Sequence, residues 1–515
     1  MDLKALQNGS DIRGIAIEHE EKTANLTPAQ VGKIAVGMVH WLRDEKHLAE
    51  KHQSGKLKIG IGHDSRISAD SLKQALIDSF VEQNIEVLDF GLATTPAMFM
   101  TTQFPQYDCD AAIMITASHL PYYFNGLKLF TKSGGAEKKD IAYLLEHTDK
   151  PALVAKGTVT KTSILEDYSA DLTDKIRKGM KTTEEKPLEG FHIIVDAGNG
   201  AGGFFAEQVL AKLGADITGS QFLEPDGIFP NHIPNPDNKE AMASIQQAVL
   251  RNKADLGVIF DTDVDRSAVV DASGEVINRN NLIAVLATIV LAEYQGSSIV
   301  TNSPTSSHLK VFIESKGGKQ VRYVSGYRNV INKMIELNDE GIDTQLAIET
   351  SGHAAFKENY YLDDGAYVIA KILMLLPKLK KEGSTLGDLI SSLKQPAETQ
   401  ELRFEILAEN VREYGEQVIR DLNDFVESQR GLKIDPENYE GIRINVSNEY
   451  GSGWLLLRMS LHEPLLVLQV ENDQDGMNQK VLEELASFFE EYKQLDLAKL
   501  KGSLSTNVGE ENLKN

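Results

Sequence analysis

Residues 116–128 read TASHLPYYFNGLK, and this stretch decides how the rest of the chain is interpreted. It places Ser118 in a turn-forming segment among polar and cationic neighbours, including His119 and Lys128, so the serine hydroxyl can carry a phosphoryl group. On its own, such a serine is more often a turn residue or a helix cap. A second segment is therefore needed to support a nucleophile.

Residues 257–266 read GVIFDTDVDR and supply that second segment. An apolar, strand-like run ends there in three alternating carboxylates, those of Asp261, Asp263 and Asp265. A small carboxylate cluster that leaves room for a phosphate oxygen favours Mg²⁺. A calcium-binding EF-hand is excluded, because its loop needs Gly and Glu where this chain has Arg266 and Ala272. Three solvated aspartates in a loop remain the alternative.

With both segments in view, the chain resembles the α-D-phosphohexomutases, the superfamily of phosphoglucomutases and phosphomannomutases. The serine loop of that family commonly reads TASHNP and its metal loop DGDGDR. Here Leu120 replaces the asparagine, and Thr262 and Val264 replace the glycines. Further matches follow in order along nearly the whole chain, at residues 11–14 (DIRG), 62–66 (GHDSR), 95–96 (TP), 195–200 (VDAGNG) and 225–236 (PDGIFPNHIPNP).

The resemblance implies an α/β fold with three successive similar α/β domains that have mixed sheets, plus a smaller C-terminal α+β domain, around a central cleft. The alternation of strand-like and helix-like segments agrees with this expectation. A polar tail over residues 501–515 is expected to be disordered. The domains expected before it are residues 1–185 with the phosphoserine loop, 186–296 with the metal-binding loop, 297–396 with the sugar-binding loop and 397–500 with the phosphate-binding loop.

The resemblance also implies roles for individual residues. Ser118 would carry the phosphoryl group and, with the three aspartates, hold Mg²⁺, while a hexose 1,6-bisphosphate would serve as activator and phosphoryl donor. Lys128 is expected to be a proton shuttle, because the nearby cations Arg13 and His119 would favour loss of its proton. His119 could equally be only a hydrogen-bonding neighbour. Substrate contacts are expected from Arg266, Arg328, Glu349, Ser351, His353, Arg458, Ser460 and His462.

The expected phosphate-binding loop departs from the family pattern. Residues 458–464 read RMSLHEP, which keeps Arg458 and Ser460 but loses one hydroxyl, and no second arginine follows Pro464 as it does in the family. Losing one charge-assisted contact costs roughly 1.5–3 kcal/mol of binding free energy. Three hypotheses therefore stay open: a mutase interconverting hexose 1-phosphate and 6-phosphate of glucose or mannose, a hexose-1,6-bisphosphate synthase, and a non-catalytic sugar-phosphate-binding protein.

The composition limits the classes of partner. The formal net charge of −23 argues against a nucleic-acid binder, and no apolar run is long enough for a membrane helix. A single cysteine, Cys109, and the absence of a secretory signal favour a cytoplasmic protein, and we expect a monomer or small homo-oligomer that acts on small sugar phosphates. Anionic substrates on an acidic protein require local cations, expected to be Arg13, Arg66, Lys128, Arg266, Arg328 and Arg458.

Overall fold

The structure is a computed structural model that describes residues 2–148, 156–461 and 463–511. These residues form two compact units. The first unit holds the chain up to Glu293 together with Gln345–Ile390, and the second holds Tyr294–Thr344 and the chain from Ser391 onward. Strands and helices alternate along much of both units, which confirms the predicted α/β organisation.

The first sheet of unit one has eight strands. They are β1 (Gln7–Asn8), β2 (Asp11–Ile15), β3 (Lys58–His63), β4 (Glu86–Leu92), β5 (Ala111–Ile115), β6 (Phe124–Thr131), β7 (Gly134–Gly135) and β8 (Thr158–Lys161). Their order is β1-β2-β6-β5-β3-β4-β8, with β7 on β6. Strand β3 runs parallel to β4 and β5, whereas β6 runs antiparallel to β5 and β2, so the sheet is mixed.

The helices of this region cover apolar strands, as an α/β sheet requires. They are α1 (Pro28–His40), α2 (Ala49–Gln53), α3 (Ala69–Glu82), α4 (Thr95–Met100), α5 (Lys138–Glu146) and α6 (Leu165–Gly179), with a 3₁₀ turn at Leu3–Leu6 and a π-helical turn at Trp41–Glu45. The side chains of Ile34, Leu76, Phe80 and Ile113 belong to one buried core. Cys109 is also buried, and burial raises the pKa of its thiol to about 12.

The second sheet of unit one has four strands. They are β9 (Ile193–Asp196), β10 (Leu256–Phe260), β11 (Ser267–Asp271) and β12 (Val276–Ile277), in the order β12-β11-β10-β9. Only β9 and β10 pair in parallel among these strands. The helical segments of this region are a π-helical stretch at Ala206–Ala211, α7 (Lys239–Asn252) and α8 (Arg279–Glu293).

The next segment of the chain belongs to unit two and continues the alternation. It contains β13 (Ser298–Asn302), α9 (Ser307–Ser315), β14 (Lys319–Tyr323) and α10 (Tyr327–Asp339). Strands β13 and β14 pair in parallel. Unit one then resumes with an antiparallel set of strands and further helices, namely β15 (Thr344–Ile348), β16 (Ala354–Phe356), a 3₁₀ turn (Lys357–Asn359), β17 (Leu362–Asp363), α11 (Gly365–Glu382) and α12 (Leu386–Leu389).

The C-terminal part of unit two is an α+β assembly. Its elements are β18 (Glu398–Glu405), α13 (Val411–Glu427), β19 (Leu432–Ile434), β20 (Ile442–Val446), a 3₁₀ turn (Asn448–Tyr450), β21 (Gly453–Met459), β22 (Leu465–Asn472), α14 (Met477–Phe489) and α15 (Ala498–Glu511). The five strands are antiparallel in the order β18-β22-β21-β20-β19.

Helix α15 corrects one expectation. Disorder was predicted from Lys501 onward, but the chain is helical as far as Glu511. Leu500 is buried in the C-terminal core and Leu504 packs against it. Two leucines spaced one helical turn apart can fix an otherwise polar helix, and that signal is too small to stand out in a polar sequence.

Candidate active site

The serine loop connects β5 to β6 and holds Ser118 in an uncommon backbone conformation. Ser118 has a φ of 52°, in the left-handed region that side-chain-bearing residues rarely adopt. Its backbone N–H donates to Thr116 Oγ1 at 2.9 Å, and the residue is buried. A buried serine held in a sparsely populated conformation is a feature that often marks a functional site.

Gly126 lets the serine loop return to the sheet in strand β6. A Cβ atom at this position would lie 2.4 Å from the carbonyl oxygen of Ile12 and 2.7 Å from that of Thr116. Any side chain would therefore separate β6 from β2 or distort the start of the loop. The glycine of the FNG sequence is thus required by the close approach of backbone on both sides.

The metal loop begins where the buried strand β10 ends. One oxygen from each of Asp261, Asp263 and Asp265 can be chosen so that all three lie within 4.8 Å of one another, and all three side chains are buried. Val264, which stands where the family commonly has glycine, has a φ of 65°. A β-branched residue is strained there, so the turn is imposed by its surroundings.

The three carboxylates fit a divalent cation. Neither Asp263 Oδ1 nor Asp265 Oδ1 has a hydrogen-bond partner among the described residues. Burial and the charges of Asp265 and Asp263 raise the pKa of Asp261 well above its usual value. Buried, partly unpaired carboxylate oxygens at this spacing are a suitable ligand set for a hard cation such as Mg²⁺.

Arg266 connects the metal loop to the serine loop. Its Nε donates to Asp261 Oδ2 at 3.1 Å, and its Nη2 donates to Ser118 Oγ at 3.0 Å and to His119 Nδ1 at 2.7 Å. Ser118 Oγ donates in turn to Asp261 Oδ2 at 3.2 Å. Because a guanidinium only donates, His119 Nδ1 acts as the acceptor in its contact with Arg266.

Lys128 lies against the carboxylates of the metal loop. Its Nζ is 2.8 Å from Asp263 Oδ2 and 2.5 Å from Asp265 Oδ2. These neighbours favour the charged ammonium, whereas the sequence interpretation expected cations beside it. Burial opposes the ionisation of Asp265, but Lys128 and His353 hold its pKa below the usual value.

The predicted sugar loop lies between β15 and β16 and contacts the metal loop. The backbone N–H of Glu349 donates to the carbonyl oxygen of His353 at 2.9 Å, which closes the turn containing Ser351. His353 Nδ1 is 2.7 Å from Asp363 Oδ2 and 3.9 Å from Asp265 Oδ1. Burial disfavours the imidazolium, but Asp363 and Asp265 outweigh it and raise the pKa of His353 to about 9.

The remaining predicted residues are distributed over both units. Arg13 lies in β2 of unit one and pairs with Asp11 at 2.9 Å. In unit two, Arg328 lies in α10, Arg458 lies in β21 and Ser460 follows that strand. His462 lies outside the described residues.

Two residues at the site were given no role by the sequence analysis, and a third was given a different one. Thr95 Oγ1 donates to Asp263 Oδ2 at 2.5 Å, and Asp363 pairs with His353. Arg66 was expected to line a positive cleft, but its guanidinium is buried against backbone carbonyls of the serine loop. The matched segments 62–66 and 95–96 contain two of the three, so those short matches were the available signal.

Comparison with known proteins finds matches along most of the chain. Profiles for the phosphoglucomutase/phosphomannomutase alpha/beta/alpha domains I, II and III match residues 4–151, 166–274 and 278–396. A phosphomannomutase/phosphoglucomutase of Pseudomonas syringae pv. tomato is 30% identical over 464 residues, 90% of each chain. A phosphoglucomutase of Neisseria meningitidis serogroup A is 28% identical over 465 residues, 89% of this chain and 94% of that protein.

A solved structure of a phosphoglucomutase/phosphomannomutase family protein from Burkholderia thailandensis has the same fold. Its TM-score is 0.76 at 23% identity, and the match covers 95% of this chain and 98% of that one. The chain therefore belongs to the phosphoglucomutase/phosphomannomutase family, within the α-D-phosphohexomutase superfamily. It is a phosphohexomutase enzyme, and the predicted family and its three α/β domains are confirmed. Among the described residues, no helix has the length and apolar character to cross a membrane.

Proposed function

We propose that this enzyme interconverts hexose 1-phosphate and hexose 6-phosphate, with glucose and mannose phosphates as substrates, through a phosphoserine at Ser118 and a hexose 1,6-bisphosphate. The observation that supports this most directly is the position of Ser118 Oγ, which is 3.0 Å from Arg266 Nη2 and 3.2 Å from Asp261 Oδ2. The oxygen is thus held between a fixed cation and the metal loop. The hexose 1,6-bisphosphate acts as activator and phosphoryl donor.

Phosphoryl transfer depends mainly on alignment and on neutralising oxygen charge. In the proposed first step, a sugar hydroxyl attacks phosphorus, the bond to Ser118 Oγ breaks, and Arg266 stabilises the charge that develops on Oγ. Asp261, Asp263 and Asp265 would hold Mg²⁺, which would supply positive charge to neutralise the transferred phosphoryl group. After the bisphosphate turns around, its other phosphoryl group is transferred to Ser118 Oγ, which restores the phosphoserine and completes the isomerisation.

Lys128 is proposed as the proton carrier between the sugar hydroxyl and the site. In the first step the ammonium group donates a proton to Ser118 Oγ as that oxygen leaves, and the resulting amine takes up the proton that the attacking sugar hydroxyl releases. His119 is assigned a binding role, because its Nδ1 lone pair is engaged by Arg266. Arg13 is proposed as a further cation that binds the transferred phosphoryl group.

The sugar ring is proposed to bind Glu349, Ser351 and His353, which offer acceptors and one imidazolium N–H. The non-reacting phosphate is proposed to bind residues of unit two, namely Arg328, Arg458, Ser460 and His462. The domains expected from the sequence, including residues 297–396 for the sugar and 397–500 for the phosphate, carry over as part of this proposal. Arg328 would supply a positive charge to this site but would not act as a general acid, because a guanidinium does not give up its proton near neutral pH.

A second candidate function is hexose-1,6-bisphosphate synthesis with another sugar bisphosphate as donor. One observation in unit two favours it. Arg458 Nη1 lies 4.0 Å from Glu440 Oε1, and both side chains are largely buried. A phosphate that binds Arg458 must therefore compete with a carboxylate, without the second arginine common in the family. A weakly held bisphosphate would leave before it turns around.

Phosphorus NMR distinguishes these functions. The purified enzyme is mixed with Mg²⁺, glucose 1-phosphate and a catalytic amount of glucose 1,6-bisphosphate, and in a second tube with stoichiometric fructose 1,6-bisphosphate. Rapid appearance of glucose 6-phosphate in the first tube supports the mutase, and net accumulation of glucose 1,6-bisphosphate in the second supports the synthase. Ser118→Ala is the control, and activity retained by that variant would contradict a phosphoserine mechanism.

A further inference from the structure

The guanidinium of Arg66 is directed at the backbone of the serine loop. Arg66 follows strand β3 and its side chain is fully buried. It donates to four carbonyl oxygens of the loop. These are the oxygens of Ser118 at 2.5 Å, Leu120 at 2.6 Å, Pro121 at 2.7 Å and Phe124 at 3.0 Å. One side chain thus fixes both ends of the loop that presents the serine.

Asp64 extends this arrangement to the other side of Ser118. Asp64 Oδ2 lies 3.3 Å from Arg66 Nε and accepts a hydrogen bond from Thr116 Oγ1 at 2.7 Å. Thr116 Oγ1 accepts in turn from the backbone N–H of Ser118 at 2.9 Å. The peptide groups before and after Ser118 are therefore both connected to a single buried ion pair. Rotation about the Ser118 backbone bonds would break contacts on one side or the other.

Phe229 lies over the guanidinium of Arg66 and belongs to the matched segment 225–236, to which the proposed function assigns no role. The ring of Phe229 lies 5.2 Å from the guanidinium carbon of Arg66. Gly227 packs closely on the turn that follows strand β3, where a Cβ atom on Gly227 would be 2.4 Å from Ser65 O and 2.5 Å from Ile67 N. Because the Arg66 side chain is fully buried, its guanidinium is not accessible to a substrate phosphate. Its contacts instead support the serine loop.

We propose that Arg66 is a positioning residue for phosphoryl transfer. Together with Asp64, it holds Ser118 in the left-handed conformation, which directs Oγ toward Arg266 and Asp261. This inference rests on the proposed function, because the orientation of Oγ matters for the rate only if Ser118 carries the phosphoryl group. A lysine cannot replace the arginine, because its donors share one nitrogen and cannot reach four carbonyls around the loop.

The test compares Arg66→Lys with the wild-type enzyme and with a matched control, Arg443→Lys. Arg443 is also a buried arginine, but its guanidinium contacts Ser303, Ser307 and Asp435 of unit two. Three quantities are measured. They are kcat and KM for glucose 1-phosphate, the rate at which Ser118 gains phosphate from glucose 1,6-bisphosphate by intact-protein mass, and hydrogen–deuterium exchange in residues 116–124.

For Arg66→Lys we expect kcat and the phosphorylation rate to fall by about tenfold or more, because at least one charge-assisted contact to the loop is lost. We expect KM to change by less than about threefold, since no sugar contact is removed. Exchange in residues 116–124 should accelerate. Arg443→Lys should leave exchange in residues 116–124 as in the wild type. In Arg66→Ala, added guanidinium ion should restore part of the rate.

Several results would overturn the inference. A change in KM with kcat preserved would make Arg66 a substrate ligand, and unchanged exchange in residues 116–124 would show that it does not hold the loop. If Arg66→Ala does not fold, Thr116→Val provides a second test, because it breaks the connection from Asp64 to the Ser118 N–H and should also lower kcat. If wild-type Ser118 never gains phosphate, the proposed function fails, while the exchange measurement still decides whether Arg66 supports the loop.

Discussion

Replacing Thr95 by valine should weaken metal binding without disturbing the fold. Thr95 begins helix α4, where its hydroxyl donates to Asp263 Oδ2 at 2.5 Å and its backbone N–H donates to Asp263 O at 2.9 Å. Valine has nearly the same volume, keeps the backbone bond and removes only the hydroxyl. Asp263 Oδ2 then keeps the contact from Lys128, but the carboxylate loses the hydroxyl that fixes its orientation beside Asp261 and Asp265.

The expected size follows from the role of groups that orient metal ligands. Removing such a partner lowers metal affinity about 10- to 100-fold, which is about 1.4–2.7 kcal/mol. We expect the lower end, about tenfold, because the backbone bond and the Lys128 contact remain. The Mg²⁺ concentration for half-maximal activity should rise by that factor, while activity at saturating Mg²⁺ should stay close to that of the wild type.

The assay combines a Mg²⁺ titration of activity with calorimetric titration of Mg²⁺ into the metal-stripped enzyme. Thr94→Val is the matched control, because Thr94 Oγ1 accepts from the Ala97 N–H as a helix cap. That change should cost about 0.5–2 kcal/mol of stability but leave the metal midpoint unchanged. If Thr95→Val has the midpoint of the wild type in both titrations, the reasoning that Thr95 orients a metal ligand is refuted.

Three further predictions concern the surroundings of the site. Asn235→Ala removes the acceptor that lies 3.3 Å from Arg266 Nη1 and should lower kcat about fivefold in steady-state assays, whereas Asn235→Asp should retain most activity. Val264→Gly relieves about 1–2 kcal/mol of backbone strain but loses about 1.5–3 kcal/mol of stabilisation from the buried side chain. Urea denaturation should therefore show a small decrease in the free energy of unfolding, and a large decrease would contradict the assigned strain. Burial opposes protonation of His232, but its hydrogen bond to Asp196 and the charge of that carboxylate raise the pKa of His232. The stabilisation of the fold by this pair is therefore complete below the unfolded pKa of about 6.5 and is lost as pH rises through the higher folded pKa. His232→Gln should flatten the fall of Tm above about pH 6.5, and an unchanged pH profile would exclude this contribution.

The chemistry-bearing residues were predictable because each ends a strand or opens a turn in a recognisable short pattern. An apolar run followed by alternating aspartates marks the end of β10 as a carboxylate cluster, and the structure places those side chains within reach of one ion. A serine between turn-forming residues marks the β5–β6 loop. These inferences need only local sequence, because the strand fixes where the side chains emerge.

The supporting residues were not predictable in the same way. Arg66 acts on carbonyl oxygens, and nothing in the identity of Ser118 or Leu120 records which side chain will reach their backbone. The direction of an arginine side chain depends on what covers it, here Phe229 from a segment far along the chain. The same holds for Lys128, whose partners come from residues 263 and 265, so the sign of its neighbouring charges could not be read from residues 116–128.

Cys109 gives the enzyme an experimental advantage. It is the sole cysteine of the chain, and burial both shields its sulfur and disfavours the reactive thiolate. A thiol introduced at an exposed position of each unit, such as Leu250 in α7 and Val311 in α9, can therefore accept a spectroscopic probe with little labelling of the native residue. Pairs of such probes would report distances between the two units during turnover in the otherwise unmodified protein.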